Sequence, residues 1–199
     1  EKRSVWLAAS THEGEELLVT NIHKTLVKKI PNLFTIISPR HPDRRVALEV
    51  MLKKQKVNYC LRSRDGLPDN KTEIYLADTI GEMGLWYKLC RVVLLGKSIL
   101  GNGGQNPIEP ALFGCAVICG ENVENFSEVV EELVKVNSLI KVKDSDDVLE
   151  RVNMLLSNEK EVDDMGARAK KFSASKSKAI DEFSAMVKSE FESCGISFK

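Results

Sequence analysis

The chain has 199 residues, of which 43% are hydrophobic, so it is long enough for one α/β domain with a substantial core. Lysine plus arginine equals aspartate plus glutamate, at 29 each, and this balance creates no net field toward nucleic acid or an anionic membrane. No apolar run approaches the roughly 20 residues that a membrane-spanning helix needs. The first residues run straight into a strand-like segment, from which we expect a domain of a longer protein.

The cysteines and histidines show no pattern of a metal or disulfide site. The five cysteines are odd in number and form no CxxC pair, so we expect buried thiols of a reducing compartment. The three histidines lack a spacing such as HExxH, and we expect neither a metal nor a cofactor. His23 falls inside a helical pattern and is expected to be a surface or boundary residue. The absence of GxGxxG after the first strand argues against a nicotinamide dehydrogenase.

Strand-like and helix-like segments alternate along the chain. The predicted strands are short apolar runs at residues 5–9, 33–38, 57–61, 74–77, 92–95, 116–119 and 139–142. The predicted helices occupy residues 15–30, 42–56, 82–90 and 126–136, a short segment after residue 107, and the chain from residue 144 onward, while residues 62–71 read as a polar loop. A polar break at residues 173–178 divides the chain into a domain over residues 1–175 and a final helix over residues 176–199. That helix either crosses to a missing N-terminal domain or packs on its own domain.

Repeated strand–helix units with near-continuous apolar strands predict a Rossmann-like α/β fold, a parallel sheet with helices on both faces. Ligands in such folds bind beyond the carboxyl ends of the strands. Unusual loops follow the first, second, fourth and fifth strands, at residues 10–16, 39–42, 78–84 and 97–109. We therefore expect these four loops to meet at one edge of the sheet and to form a binding site there.

The segment 103–110 is the most informative of these loops. Gly103 and Gly104 lack the Cβ atoms that would keep the backbone away from a ligand, and Pro107 can begin a helix. Glu109 then falls in the first turn, where its carboxylate can accept hydrogen bonds from two neighbouring hydroxyls, as on a ribose. The segment predicts a nucleotide or sugar-nucleotide site, and the alternative interpretation is a tight loop with a helix cap.

The other three loops carry groups that suit an anion. Arg40 lies on a stiff loop between two prolines, where its guanidinium either binds a phosphate or carboxylate or is a plain surface arginine. The segment 78–84 predicts a helix N-terminus whose free N–H groups favour an anion, with residue 78 or 79 as a simple N-cap in the alternative. The hydroxyls of Ser10 and Thr11 either contact a phosphate or cap the first helix.

Four segments of the chain, taken in order, resemble the 3-deoxy-D-manno-octulosonic acid (Kdo) transferases of lipopolysaccharide synthesis. The resemblance spans about residues 5–172 and is specific because all four motifs occur in sequence. It implies a GT-B architecture, in which two Rossmann-like domains face a cleft and this chain is the C-terminal, donor-binding half. The motifs are residues 6–16 (WLAASTHEGEE), 39–42 (PRHP), 75–84 (YLADTIGEMG) and 103–110 (GGQNPIEP).

The resemblance implies a substrate and a set of binding residues. Kdo transferases move Kdo from CMP-Kdo to a lipid A precursor at the cytoplasmic face of the bacterial inner membrane. This domain would then be soluble and bind the CMP-Kdo donor, with the acceptor and the membrane contacted through the part of the protein outside this chain. The implied CMP-binding residues are Pro39, Arg40, Ile80, Gly81, Glu82, Asn106, Pro107, Ile108 and Glu109. The implied donor pocket adds Ser10, Thr11, Gly103, Gly104 and Gln105.

The chain also departs from the family pattern. The family usually has histidine where Gln105 stands, and glutamine keeps the hydrogen bonding but carries no charge. The catalytic glutamate base of the family belongs to its N-terminal domain, so no catalytic residue is assigned to this chain. Two alternatives remain: another GT-B enzyme, such as a nucleotide-sugar epimerase or a UDP-sugar transferase, or a non-catalytic nucleotide-binding module.

Overall fold

A seven-stranded parallel sheet forms the centre of the fold. The computed structural model describes the backbone of residues 3–193 and the side chains of residues 3–176 and 186–188. The strands are β1 (Ser4–Thr11), β2 (Leu33–Pro39), β3 (Tyr59–Leu61), β4 (Ile74–Leu76), β5 (Val92–Leu95), β6 (Ala116–Cys119) and β7 (Leu139–Lys141). They lie in the order β3-β4-β2-β1-β5-β6-β7, and all neighbouring pairs run parallel. The predicted Rossmann-like fold is confirmed, with a strand at each of the seven apolar runs.

Helices connect these strands and extend the chain after β7. Residues 62–71 are not wholly a loop, because a short helix opens them. The C-terminal helix, Glu159–Ser193, continues without interruption through residues 173–178, so the predicted polar break is wrong. The helix continues because serine and lysine weaken a helix far less than glycine or proline do. Among the described residues, none of the helices has both the length and the apolar character to cross a membrane. The helices are α1 (Glu15–Leu26), α2 (Arg45–Gln55), α3 (Arg62–Asp65), α4 (Met83–Leu89), α5 (Ile108–Phe113), α6 (Ser127–Lys135), α7 (Ser145–Ser157) and α8 (Glu159–Ser193).

The two faces of the sheet are covered by separate apolar cores. Successive side chains of β1 point to opposite faces, so Trp6 and Ala8 belong to one core and Leu7 and Ala9 to the other. All four residues are completely buried. The first core includes residues of α1, α2 and α7, and the second includes residues of α4, α5 and α6. Burial on both faces explains why the strands are apolar along their whole length.

The described cysteines are part of this core. Cys60, Cys90, Cys115 and Cys119 are buried free thiols, as expected, and Cys194 lies outside the described residues. Burial raises the pKa of three of these thiols, those at positions 90, 115 and 119, to about 12. They therefore pack as small apolar side chains.

His23 is fully buried, so its predicted place at the surface is wrong. Its Nδ1 lies 2.8 Å from the Thr35 hydroxyl, and its Nε2 lies 3.8 Å from the Glu73 carboxylate. Burial lowers the pKa of His23, and the nearby Glu73 carboxylate opposes this shift. The ring is a core residue that joins α1 to β2.

The ends of β1 and β5 create a crevice at the centre of the sheet. The connection from β1 leads to β2 on one side, whereas β5 pairs with β1 on the other, and a crevice forms outside the strand ends at such a switch point. The N–H of Gly96 donates to the carbonyl of Ala9 over 2.8 Å. A Cβ atom at Gly96 would lie 2.4 Å from the carbonyl oxygen of Ser10, which has a φ of 54° in the irregular end of β1. Position 96 therefore requires glycine.

Candidate functional site

The four loops predicted to form the site meet at one edge of the sheet. They follow β1, β2, β4 and β5, and the carboxyl ends of these parallel strands lie on the same side. The backbone N–H of Arg40 donates to the carbonyl of Thr11 over 3.0 Å, which joins the loops after β2 and β1. The backbone N–H of Lys97 donates to the Glu15 carboxylate over 2.8 Å, which joins the loop after β5 to the start of α1.

Two buried acids at the start of α1 hold the loop after β1. Glu15 is 3% exposed and Glu16 is 1% exposed. Glu15 Oε2 accepts a second backbone hydrogen bond, from the N–H of His12 at 2.9 Å. Glu16 accepts a hydrogen bond from the Thr11 hydroxyl at 2.9 Å and pairs with the Arg44 guanidinium at 2.7 Å. Both acids therefore make specific contacts, in addition to the favourable effect of negative charge at a helix N-terminus.

The predicted roles of the hydroxyls at this loop need correction. The Thr11 side chain is buried against Glu16, so it does not cap α1, and the predicted cap is wrong. The N-cap position of α1 is Gly14, whose φ is 91°, and no side chain caps it. Ser10 is half-buried, and its left-handed backbone lies at the crevice.

The loop after β2 leaves Arg40 free. Pro39 is buried at the end of β2, and Arg40 beside it is exposed. Within the described residues, the Arg40 guanidinium makes no hydrogen bond or ion pair, whereas Arg44 is committed to Glu16. A free guanidinium at the carboxyl edge of a sheet is suited to a phosphate or carboxylate.

An ion pair fixes the loop after β4. Arg62 donates to both carboxylate oxygens of Glu82, with the shortest contact at 2.7 Å. The Arg62 guanidinium, followed by the Thr79 hydroxyl, lowers the pKa of Glu82 to about 2. Asp78 accepts a hydrogen bond from the N–H of Ser63 at 2.9 Å, and this contact stabilises the start of α3. The predicted N-cap at residue 78 or 79 is wrong, because Glu82 occupies the N-cap position of α4.

Ile80 and Gly81 form the exposed tip of the same loop. Ile80 is 87% exposed, and Gly81 has a φ of 88°. A Cβ atom added to Gly81 would meet no heavy atom within 4 Å, so the protein leaves open space above this backbone. The close approach of a ligand to the main chain requires such a space.

The glycine pair after β5 is held by the protein's own hydrogen bonds. Gly103 and Gly104 both have left-handed backbones, with φ of 97° and 68°. The N–H of Gly103 donates to the Glu124 carboxylate over 2.6 Å, and the N–H of Gly104 donates to the carbonyl of Lys97 over 3.1 Å. A Cβ atom at Gly103 would lie 2.6 Å from the side-chain nitrogen of Asn125. Both glycines are buried and have left-handed backbones, so the conformation of the loop favours glycine here apart from any approach by a ligand.

The residues after the glycine pair place a free carboxylate at the crevice. Asn106 Oδ1 accepts a hydrogen bond from the N–H of Ile108 at 3.0 Å, and the buried Pro107 precedes α5. Glu109 lies in the first turn of α5, as predicted. It is exposed, and among the described residues its carboxylate has no hydrogen-bond or ion-pair partner. This carboxylate can therefore accept hydrogen bonds from hydroxyls of a ligand.

Gln105 reaches across the crevice to His12. The Gln105 amide nitrogen lies 3.2 Å from His12 Nε2. An amide nitrogen can only donate, so the ring accepts at Nε2 and carries its proton on Nδ1. Burial is the main cause that lowers the pKa of His12; Glu15 opposes the shift, and Lys97 and His41 reinforce it. A neutral His12 thus helps to close the loop after β1 against the loop after β5.

The arrangement suits an organic anion. The part of the chain with described side chains contains no group of three or more His, Cys, Asp or Glu residues placed to hold a metal ion. Arg40 offers two donors in a planar fork, Gly81 offers open backbone, and Glu109 offers an acceptor. A ligand with a phosphate and neighbouring hydroxyls matches these three groups.

Sequence reasoning missed the residues that support the site. Glu15, Glu16, Arg44, Arg62 and Lys97 make its buried or bidentate contacts. The acids at residues 13, 15 and 16 stand at the start of a predicted helix, where negative charge is favoured without any supporting role. No local signal identified the arginines as partners of these acids.

A family profile described as Glycosyl transferases group 1 matches residues 15–172. This span runs from α1 into α8 and contains the loops after β2, β4 and β5. It therefore covers most of the fold and three of the four loops at the crevice.

Two curated relatives are 3-deoxy-D-manno-octulosonic acid transferases. The protein from Haemophilus influenzae is 39% identical over 159 residues, which is 80% of this chain and 37% of that protein. The protein from Rickettsia felis is 29% identical over 185 residues, which is 92% of this chain and 40% of that protein. The chain thus spans well under half of the length of these relatives.

A solved structure matches most of the fold. It is the crystal structure of the C-terminal CMP-Kdo binding domain of WaaA from Acinetobacter baumannii, with 28% identity and a TM-score of 0.81. The match covers 86% of this chain and 89% of that chain. These similarities confirm the resemblance to Kdo transferases that the four motifs predict.

Proposed function

Because the chain belongs to the glycosyl transferases group 1 family, we propose that it is the donor-binding half of a transferase that moves Kdo from CMP-Kdo to a lipid A precursor. The observation that carries this proposal is the match to a CMP-Kdo binding domain over 89% of that domain's length. The four motifs that carry the resemblance lie at the crevice, where a donor would bind.

The free charged groups of the crevice are the proposed contacts to CMP. Arg40 binds the phosphate or the base, because its exposed guanidinium has no partner among the described residues. Glu109 binds the ribose hydroxyls, because an exposed carboxylate can accept two hydrogen bonds from a vicinal diol. The proposal needs a cation for the phosphate and an anion for the ribose hydroxyls. Arg40 follows β2 and Glu109 follows β5, so these two charges come from the strands on either side of β1.

The loop after β4 contributes mainly backbone in this proposal. Gly81 has open space above it, so a phosphate or base can approach its main chain together with that of Ile80. The Glu82 carboxylate is committed to Arg62, so its side chain holds the loop while its backbone remains beside the ligand. Asn106, Pro107 and Ile108 form the start of α5, and they set the position of Glu109.

The proposed mechanism assigns electrostatic stabilisation to this domain. When the bond from Kdo to CMP breaks, negative charge grows on the departing phosphate. Arg40 stabilises that charge, and fixed donors aimed at a developing charge contribute strongly to catalysis. The general base, the acceptor groove and the contact with the inner membrane belong in this proposal to the remainder of the parent protein. The part of α8 from residue 176 onward is the proposed crossing segment toward that remainder, and residues 194–199 of the predicted final helix lie outside the described part.

A transfer assay with the longer parent protein tests the function. CMP-Kdo and a lipid A precursor are the substrates, and the variants are Arg40→Ala and Glu109→Ala. We expect each to lower the rate of transfer by more than about tenfold, because each removes a contact to the leaving group. Glu128→Ala, on the exposed surface of α6, is the control and should retain the parent rate. Rates near those of the control for both variants would refute the site assignment, and no transfer by the unmodified parent would refute the function.

A further inference from the structure

One buried carboxylate joins the two loops on either side of the crevice. Glu15 is 3% exposed, and its Oε2 accepts backbone hydrogen bonds from His12 at 2.9 Å and from Lys97 at 2.8 Å. His12 lies in the loop after β1, whereas Lys97 lies 82 positions beyond Glu15, in the loop after β5. Hydrogen bonds from backbone N–H groups to an ionised carboxylate are stronger than those between neutral groups.

His12 and Lys97, which both donate to Glu15, each contact a residue of the glycine loop, the segment 103–105 after β5. From Lys97, the carbonyl accepts the N–H of Gly104 at 3.1 Å. From His12, ring Nε2 lies 3.2 Å from the Gln105 amide nitrogen. The two paths that begin at Glu15 therefore end at adjacent positions, directly before the segment that presents Glu109.

The arrangement is costly for the folded chain. The second oxygen of the Glu15 carboxylate, Oε1, is buried and has no hydrogen-bond partner in the described structure. Burial of an unpaired charged oxygen costs free energy. Lys97, which donates to Glu15 from the loop after β5, has a φ of 58°, a left-handed backbone that residues other than glycine rarely adopt. Unfavourable conformations of this kind cluster at sites where function requires them.

We propose that Glu15 is a positioning residue of the donor site, which fixes the glycine loop so that Glu109 meets the ribose. This inference rests on the proposed function and adds a residue that does not itself touch the donor. The carboxylate acts through the backbone of His12 and Lys97, and it sets Gly104 and Gln105 in place before CMP binds. Such preorganisation lowers the conformational entropy that the loop loses when the ligand binds.

Calorimetric titration of the 199-residue chain with CMP tests the role. Glu15→Ala removes the oxygen that accepts both hydrogen bonds, and it should weaken CMP binding by about tenfold, since the loop is no longer held in place. Glu13→Ala removes an exposed acid of the same loop and should bind CMP as the unmodified chain does. Glu15→Gln retains an oxygen that can accept both N–H groups, and it should restore binding to within about threefold of the unmodified chain.

Amide hydrogen exchange supplies a measurement that does not depend on CMP. In the unmodified chain, the amides of Lys97 and Gly104 should exchange at least about a hundredfold more slowly than in an unstructured peptide. Rapid exchange of both amides in the unmodified chain overturns the inference, even if Glu15→Ala does not fold. Binding by Glu15→Ala equal to that by Glu13→Ala also overturns it. Absence of CMP binding by the unmodified chain refutes the proposed function instead. In that case, slow exchange of the Lys97 and Gly104 amides that Glu15→Ala abolishes still supports the link between the loops.

Discussion

Arg40 and Glu109 differ from the paired and buried acids of the crevice, because the protein does not use their charges itself. Glu16 and Glu82 are each paired with an arginine, and Glu15 is buried between two loops. Arg40 and Glu109 are exposed on opposite sides of β1, without partners among the described residues. The division between paired supports and free groups is the strongest structural reason to place the ligand at these two residues.

Arg44→Ala should destabilise the chain by about 2 kcal/mol, because it leaves the buried Glu16 carboxylate with only the Thr11 hydroxyl. Arg64→Ala is the matched control, since Arg64 pairs with Glu49 at the surface, where water screens the charges. The control should leave the unfolding curve in urea unchanged. Coincident curves for the two variants would show that Glu16 does not need its arginine.

The free charged residues of the crevice can be predicted from the sequence, but the residues that support the loops cannot. Arg40 and Glu109 stand out because prolines beside them limit the local backbone, and this effect is visible in a short segment. The bond between Glu15 and Lys97 joins positions 82 apart, and the pair of Arg62 with Glu82 joins positions 20 apart. Only the parallel sheet brings these partners together, so no motif contains them.

At the scale of elements, α8 packs so closely on α5 that the contact requires glycine. A Cβ atom at Gly166 of α8 would lie 2.2 Å from the carbonyl oxygen of Gly114, directly after α5. This carbonyl belongs to the main chain and cannot move as a side chain can. Because α5 carries Glu109, the position of α8 also supports the crevice.

Gly166→Ala should therefore lower the free energy of unfolding by about 2 kcal/mol, since the new methyl group overpacks the contact. Gly84→Ala is the control within another helix, because its Cβ would lie 3.3 Å from the end of the Phe113 ring, which can shift. Both changes raise helix propensity by about 1 kcal/mol, so their difference isolates the packing effect. Urea unfolding measures both variants. A Gly166→Ala chain as stable as Gly84→Ala would contradict the close approach of α8 and α5.

Strands and helices can be predicted from the sequence where nearby residues determine them, and not where distant residues do. The strands contain apolar runs, and those at the centre of the sheet are buried on both faces, so the sequence alone locates all seven. The ends of helices depend on tertiary contacts, and α1 accordingly ends at Leu26 rather than at residue 30. Helix α3 forms where Asp65 accepts the N–H of Leu61 and Asp78 accepts the N–H of Ser63, and the second contact comes from a distant strand end.

At the scale of the whole molecule, the described part of the chain is a parallel sheet covered by helices on both faces, with a crevice at its central switch point. Its four crevice loops are ordered by hydrogen bonds within the domain, through Glu15, Glu16 and Glu82. Because these supports belong to the chain itself, the donor side of the site should form without the remainder of the parent protein. This expectation allows binding to be separated from transfer.

Calorimetric titration of the 199-residue chain with CMP, and with UMP and UDP as controls, tests the central claim most directly. We predict that CMP binds selectively and that Glu109→Ala abolishes the binding, because the ribose then loses its acceptor. Preference for UDP, or CMP binding that Glu109→Ala leaves unchanged, would contradict a CMP-sugar donor site at this crevice.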